Sequence, residues 1–594
     1  MPYTYIVANM RLVAIFLSLG ICMQAREIYY PERGIYFPRE APSIQKTEQE
    51  DQQELPQEAT ACVVEEVVVQ ESFEEEAVAL PYVHTILLLG READVLSDTH
   101  SLASGILFGD IDIPGKESDL IADLEPYLGG EIALEEIEKI RRVILNYWQS
   151  HKRPFVRIFI PEQDITEGVL QFVVMQAVLG EVRVRGGKWF SDQLYFDGMH
   201  LHSGDFIDEQ VLVDDLDWLN RNPFRRTDVV YGPGMLPGTT DIELVTQDRI
   251  PLRIYAGVEN TGMEQTGRTR WLAGMNWGNV FGLDHTFSYQ YTTSSDFYKF
   301  QAHTVQYTAP LKCHHALDIF GGYSLVHAHL PDPDHHGSHG WSLQASARYH
   351  IPLRPGNSKL HELYAGCDFK RTNNTLEFVE EVPLFGKNTN LTQLILGYMG
   401  GVEGKKWAFA WDGYLAWSPG SFLPDQTDAD YRTLRPFAQV DYLYGVGYFE
   451  TTRNLPKQWS TILRLSGQLA SANLLPSEQY GVGGYTTVRG YEERTLNGDE
   501  AFVASWELRA PVLHIVRKQR DRLQFLGFID YGIVHNHHRL EDEPYSMFIA
   551  GAGPGLRYTF PPYLSARLDW GIKLKRLSFE ESRTFLHFGI LAAF

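Results

Sequence analysis

The residues best suited to chemistry in this 594-residue chain are a tetrad, Val488-Arg489-Gly490-Tyr491, inside the Gly-rich stretch Pro476–Pro511. An arginine carries a planar fork that binds a carboxylate through two parallel hydrogen bonds and stays charged at physiological pH. Gly490 permits a sharp turn beside it. The chemistry on offer is ionic holding, and it needs an acid. Asp530 is a candidate. It lies in an alternating segment where Leu523, Phe525, Ile529, Tyr531 and Ile533 take one face, which leaves Asp530 on the polar face.

Other chemistry is poorly served. Gly109–Lys116 comes nearest to a phosphate-binding loop, but the spacing is wrong and Glu117 stands where a Ser or Thr belongs. There is no His-Glu-x-x-His and no Gly-x-Ser-x-Gly. Scattered Asp, His and Ser show no spacing that selects a catalytic set, so neither an enzyme nor a cofactor is expected. His327, His329, His335, His336 and His339 crowd one segment, and His535, His537 and His538 another. Histidine clusters can bind zinc or copper. Pro331 and Pro333 argue for a solvated tip without fixed ligand geometry, and no metal is expected.

The elements that must position the tetrad are strands. The chain has 13% aromatic residues, with 31 Tyr and 32 Phe, and after the N-terminus no apolar run long enough for a membrane helix. A membrane barrel has this composition, because each strand offers lipid only every second residue. Sixteen antiparallel strands are readable in 251–594, beginning near Pro251, Arg268, Asp284, Lys299, His315, Ser338, Lys359, Leu391, Trp407, Arg432, Gln458, Ala501, Asp521, Tyr545, Tyr563 and Arg583. In the fifteenth, Leu564, Ala566, Leu568, Trp570 and Ile572 oppose Ser565, Arg567, Asp569 and Lys573. In the twelfth, Phe502, Ala504, Trp506 and Leu508 oppose Ser505, Glu507 and Arg509. Connections after even strands are mostly short and those after odd strands often long, which starts the first strand from the periplasmic side. The chain ends on an alternating strand with Phe594.

Upstream, three zones are expected. Residues 1–25 read as a secretory signal, with Arg11 before the apolar run Leu12–Met23 and Ala25 for cleavage. Residues 26–80 are a flexible acidic leader; Glu48–Glu76 alone holds eleven acidic residues. Residues 81–176 and 177–248 each read as a small β-α-β-β unit, the helix Leu134–His151 carrying Ile137, Ile140, Val143, Ile144 and Trp148 on one face. The net charge of −24 argues against nucleic acid. Past the signal only Cys62, Cys313 and Cys367 remain, too few for a disulfide framework, and the latter two are expected as free thiols.

The loop around Val488-Arg489-Gly490-Tyr491 resembles the conserved loop of polypeptide-transporting outer-membrane barrels, and FLGFIDYG resembles their Phe-x-Asp-x-Gly strand. Together with IPEQDITEGVLQFVV, GEVRVRGGKWF and LNRNPFRRTDVVYGPGMLPGTTDIEL, these segments resemble the two-partner secretion transporters, the TpsB or ShlB/FhaC/HecB family, over roughly residues 81–594. The resemblance implies two tandem periplasmic POTRA domains before a 16-stranded transmembrane β-barrel in the bacterial outer membrane. It implies that Arg489 pairs with Asp530 inside the barrel, that Tyr491 packs on the wall and that Phe594 serves as the barrel-assembly signal. It also implies partners: a large secreted β-rich client, the machinery that inserts the barrel, and outer-membrane lipid. An assembly factor of the BamA type, or a passive porin, are the alternatives. A hydrated lumen would screen the ion pair to about 1–3 kcal/mol. No amphipathic plug helix is readable in 26–80.

Overall fold

The computed structural model describes residues 82–130, 134–328, 338–353, 359–373, 388–516, 521–539, 544–577 and 582–594. The signal, the acidic leader and most of the first histidine cluster lie outside them.

Two small α/β units come first. In one, β1 (Thr85–Leu89), β2 (Gly105–Phe108), β3 (Val156–Phe159) and β4 (Val169–Gln176) form a sheet in the order β2-β1-β4-β3. Helices α1 (Glu117–Leu124) and α2 (Leu134–Ser150) cover it. The apolar stripe of α2 is buried through Ile137, Ile140, Ile144 and Trp148 against Ile86, Leu88, Phe172 and Val174, as a 3.6-residue period requires. In the other unit β5 (Val178–Arg185), β6 (Arg225–Pro233) and β7 (Thr239–Asp248) form a sheet in the order β5-β7-β6. Helices α3 (Asp192–Asp197) and α4 (Glu209–Leu219) pack on it around Leu179, Tyr195, Leu212 and Ile242. Asp208 caps α4, accepting from the backbone N–H groups of Gln210 and Val211.

Residues 252–593 form a closed barrel of 16 antiparallel strands, each bonded to its neighbours in sequence, and the last strand, Thr584–Ala593, pairs with the first, Leu252–Glu259. Lipid explains the outer face. Leu394, Leu396, Leu415, Trp417, Phe525, Ile529, Trp570 and Ile590 are each about half exposed, while the sequence neighbours Gln393, Ser418, Asp530 and Asp569 are buried within. None of the described helices is long and apolar enough to cross a membrane. The closing seam is short: five residue pairs join the first and last strands, against fourteen between the thirteenth and fourteenth.

The tenth strand departs from expectation. It runs Asp441–Asn454, and the residues from Asp428 to Leu434 form helix α5. A capping box explains the helix: the Thr427 hydroxyl accepts from the Asp430 N–H while the Asp430 carboxylate accepts from the Thr427 N–H. Within the long Gly-rich loop, Tyr480–Val482 and Leu496–Gly498 form a small hairpin of their own. Cys313 and Cys367 are free and exposed.

Candidate lumen clamp

The hairpin loop between the eleventh strand (Ser460–Ala470) and the twelfth (Glu500–Arg509) folds into the barrel. Inward positions on four strands receive its tip: the twelfth, the thirteenth (Arg522–His535), the fifteenth (Leu564–Lys573) and the sixteenth. Register makes them neighbours: Ser505 stands opposite Asp530, Glu507 opposite Phe528, and Asp569 opposite His587.

Arg489 is 3% exposed and Asp530 0%. Arg489 Nε donates to Asp530 Oδ2 at 2.7 Å and Nη2 to Asp530 Oδ1 at 2.8 Å, the bidentate geometry an arginine allows. The Arg489 backbone N–H adds a third bond to Oδ2 at 3.0 Å. Arg489 Nη1 reaches Glu507 Oε1 at 2.7 Å, Nη2 reaches Ser505 Oγ at 3.2 Å, and the guanidinium stacks 3.7 Å from the centre of the Phe528 ring. The clamp continues sideways. Arg464 joins Glu450 and Glu507, Arg509 joins Glu507, and Arg557 joins Asp569, which lies 3.6 Å from Arg489. Four carboxylates and four guanidiniums thus alternate along one belt of the wall, and their charges cancel. This burial departs from the hydrated setting expected above, because the loop itself shuts water out.

The rest of the tetrad is placed by shape. Gly490 has φ 103°, in the left-handed region. A Cβ on Gly551 would lie 1.9 Å from the Arg489 carbonyl oxygen, and one on Gly571 would lie 2.2 Å from the Gly490 nitrogen. Two wall glycines therefore form a slot for the loop backbone. The Gly490 N–H donates to His587 Nε2 at 3.0 Å. Val488 is buried over Gly532. Tyr491 is fully buried, and its hydroxyl donates to the backbone carbonyls of Ala550 and Lys575. Phe594 closes the seam: its N–H donates to the Ile254 carbonyl at 2.8 Å, and its side chain is 80% exposed.

A second anchor holds the loop nearer its stem. Glu478 accepts from Lys370 Nζ at 2.9 Å, from Gln393 Nε2 at 2.8 Å and from the Tyr444 hydroxyl at 3.0 Å. Asp499 holds Arg435, just after α5, and the Leu474 N–H. Around these bonds Tyr364, Met399, Tyr414, Tyr442, Leu474, Leu475 and Leu496 form one apolar cluster across the lumen. His537 and His538 keep solvent exposure, as expected, and each also bonds to the loop stem: His537 to the Ala470 carbonyl and His538 to Asn473. Sequence reasoning did not single out Glu507, Asp569, Phe528, His587 or Glu478 as partners. The inward parity of Glu507 and Asp569 was visible, and it was the available signal.

A family model described as haemolysin secretion/activation protein ShlB/FhaC/HecB matches residues 238–558. The outer membrane transporter CdiB of Dickeya dadantii is 22% identical over 446 residues, 71% of this chain and 74% of that protein. The heme/hemopexin transporter protein HuxB of Haemophilus influenzae is 20% identical over 409 residues, 65% of this chain and 68% of that protein. Among solved structures, CdiB from Escherichia coli superposes with a TM-score of 0.72 at 15% identity, covering 100% of this chain and 99% of that one.

Proposed function

Because the chain belongs to the haemolysin secretion/activation family ShlB/FhaC/HecB, we propose that it exports one partner protein through its barrel without hydrolysing nucleotide. It is an outer-membrane transporter of the two-partner secretion type, with its small α/β units in the periplasm. We assign those units, 81–176 and 177–248, as POTRA domains. Their contacts support that side: Asn222 and Arg225 of the second unit bond Asp284, in the short turn between the second and third barrel strands.

The observation that carries the reading is the loop in the lumen. A passive pore needs an open passage, and here an ion-clamped hairpin folds into the lumen and packs with the wall in one apolar cluster. Passage of a chain therefore requires this loop to shift. A large, unfolded, β-rich client would add a strand to a free sheet edge, as extended peptides do. Edge strand β6, with Val230 and Tyr231 exposed, suits that role. Folding of the client outside would make export directional. Phe594 would present the barrel to the insertion machinery, and the apolar outer belt would face lipid.

Quantitative proteomics of medium and outer membrane, in wild type, a deletion strain and Arg489→Ala, tests this. We expect one large protein lost from the medium in the deletion and reduced in the variant, with other barrels unchanged. A general fall of outer-membrane barrels would instead mean an assembly factor. No change in either fraction would mean a solute pore.

A further inference from the structure

The joint between the second α/β unit and the barrel gathers two histidines and a carboxylate from three segments. His200 follows α3, Asp215 sits on α4, and His314 stands in the turn between the fourth barrel strand (Phe300–Pro310) and the fifth (Ala316–Ala328). Asp215 is 1% exposed. His200 Nδ1 lies 2.7 Å from Asp215 Oδ1, and the His200 N–H donates to Asp215 Oδ2 at 2.8 Å. His314 Nε2 lies 3.7 Å from Asp215 Oδ1 and 3.0 Å from the Gly198 carbonyl oxygen. One ligand atom from each of the three residues falls within 4.8 Å of the others.

We propose that His200, Asp215 and His314 bind one zinc ion that fastens the periplasmic unit to the barrel. Zinc takes imidazole nitrogen and carboxylate oxygen at about 2.0–2.2 Å in a tetrahedron, which sets ligand atoms roughly 3.4 Å apart. The separations of 2.7 and 3.7 Å bracket that value. The fourth position falls to water or to the Gly198 carbonyl. Two neutral imidazoles and one carboxylate suit a borderline cation better than calcium or magnesium, which take oxygen ligands.

The surroundings hold the ligands in place. The His314 ring stacks on Trp218 at 4.8 Å, and the Arg221 guanidinium lies 4.4 Å from the centroid of that indole. The His314 backbone, at φ 58°, is in the left-handed region, which histidine enters more readily than most residues other than glycine. That conformation places the ring over α4. The carboxylate is withdrawn from solvent and has two imidazoles beside it, a setting in which a dication replaces shared protons. One barrel ligand and two from the α/β unit make the ion a bridge between the two, where the Arg225–Asp284 contact at another turn is an ordinary ionic tie.

The test is a zinc titration of the full chain, purified folded in detergent and stripped with chelator, against a chromophoric competitor. The histidine-rich segments outside the joint are controlled by one variant in which His327, His329, His335, His336, His339, His535, His537 and His538 are all replaced by Gln. We expect one zinc per chain that this control retains and that His200→Gln and His314→Gln each weaken at least tenfold, with magnesium failing to compete. Equal zinc stoichiometry and affinity in wild type and both joint variants would overturn the assignment. Heat-modifiable migration reports that the barrel of each variant is folded. Should a joint variant not fold, zinc-edge X-ray absorption of the wild-type protein at one equivalent decides. A shell of two imidazoles with oxygen is expected, and three or more imidazoles would refute the site.

Discussion

Replacing Arg489 with alanine removes the cation at the centre of the belt, and the structure says which acid is stranded. Glu507 keeps Arg464 and Arg509, and Asp569 keeps Arg557. Asp530 keeps Ser505 Oγ at 2.7 Å but loses its arginine, and no other described guanidinium or ammonium pairs with it. The perturbation is therefore one broken pair at a fully buried carboxylate, which costs about 3–5 kcal/mol. At about 1.36 kcal/mol per decade, the docked loop loses roughly two to three and a half orders of magnitude in its closing equilibrium. Amides of the small hairpin, Tyr480–Val482 and Leu496–Gly498, report this by hydrogen exchange with mass spectrometry. Their protection should fall roughly 100-fold or more, while amides of the seventh and eighth barrel strands, across the lumen, keep theirs. Arg489→Lys should fall between, since an ammonium is a point charge that cannot bridge Asp530 and Glu507 with a fork. Exchange within threefold of wild type in Arg489→Ala would refute the reasoning, because it would mean that the clamp does not hold the loop.

Gly571→Val should expel the loop tip with every charge intact, since the slot leaves no room for a side chain against the Gly490 nitrogen; single-channel recording should show frequent large openings, and wild-type conductance would count against the slot. Glu478→Ala leaves Lys370, 11% exposed, without its carboxylate, so loop-hairpin protection should fall by a factor of about 100 or more, again by exchange. In the loop between the third and fourth strands, burial tends to raise the Asp296 carboxyl, but bonds from Ser294 Oγ and the N–H groups of Lys299 and Tyr298 outweigh it and hold it at about 2. Its folded value is below the ordinary 3.8, so its contribution is present above that pH and is lost as pH falls through about 2. Backbone amide shifts of Tyr298 and Lys299 should titrate with that midpoint; a midpoint near 3.8 would refute the capping.

Much of this architecture was legible because lipid and pleat impose a rule on every residue. Strands such as the fifteenth alternate so strictly that their faces follow from spelling alone, and the 3.6-residue stripe of the helix from Leu134 is as plain. The start of the tenth strand was not legible, because α5 is seven residues long and its capping box lies in a polar stretch that also reads as loop. Strand β2 and helix α1 escaped for a similar reason: each is short, and tertiary packing decides their state. The candidate site was half legible. A motif brought Arg489 and Asp530 together, and the structure places them in bidentate contact. The belt around them depends on which inward residue of one strand stands beside which of the next. That is register, and register is fixed by turns and by closure of the whole ring rather than by any local run of residues. Burial was misjudged on the same ground, since only the folded loop excludes the water that an open lumen would hold.

The two wall glycines, Gly551 and Gly571, separate two quantities that a single contact usually confounds. Steric fit against a bare backbone carries no charge and is insensitive to salt. The arginine clamp is a matter of strength. The glycines therefore write the loop's address, and the ions set its residence time. A protein built this way can have its dwell retuned by trading one charge for another while the segment still returns to the same berth after each excursion. Changing either glycine would do the opposite, leaving a strong holder with nowhere to dock.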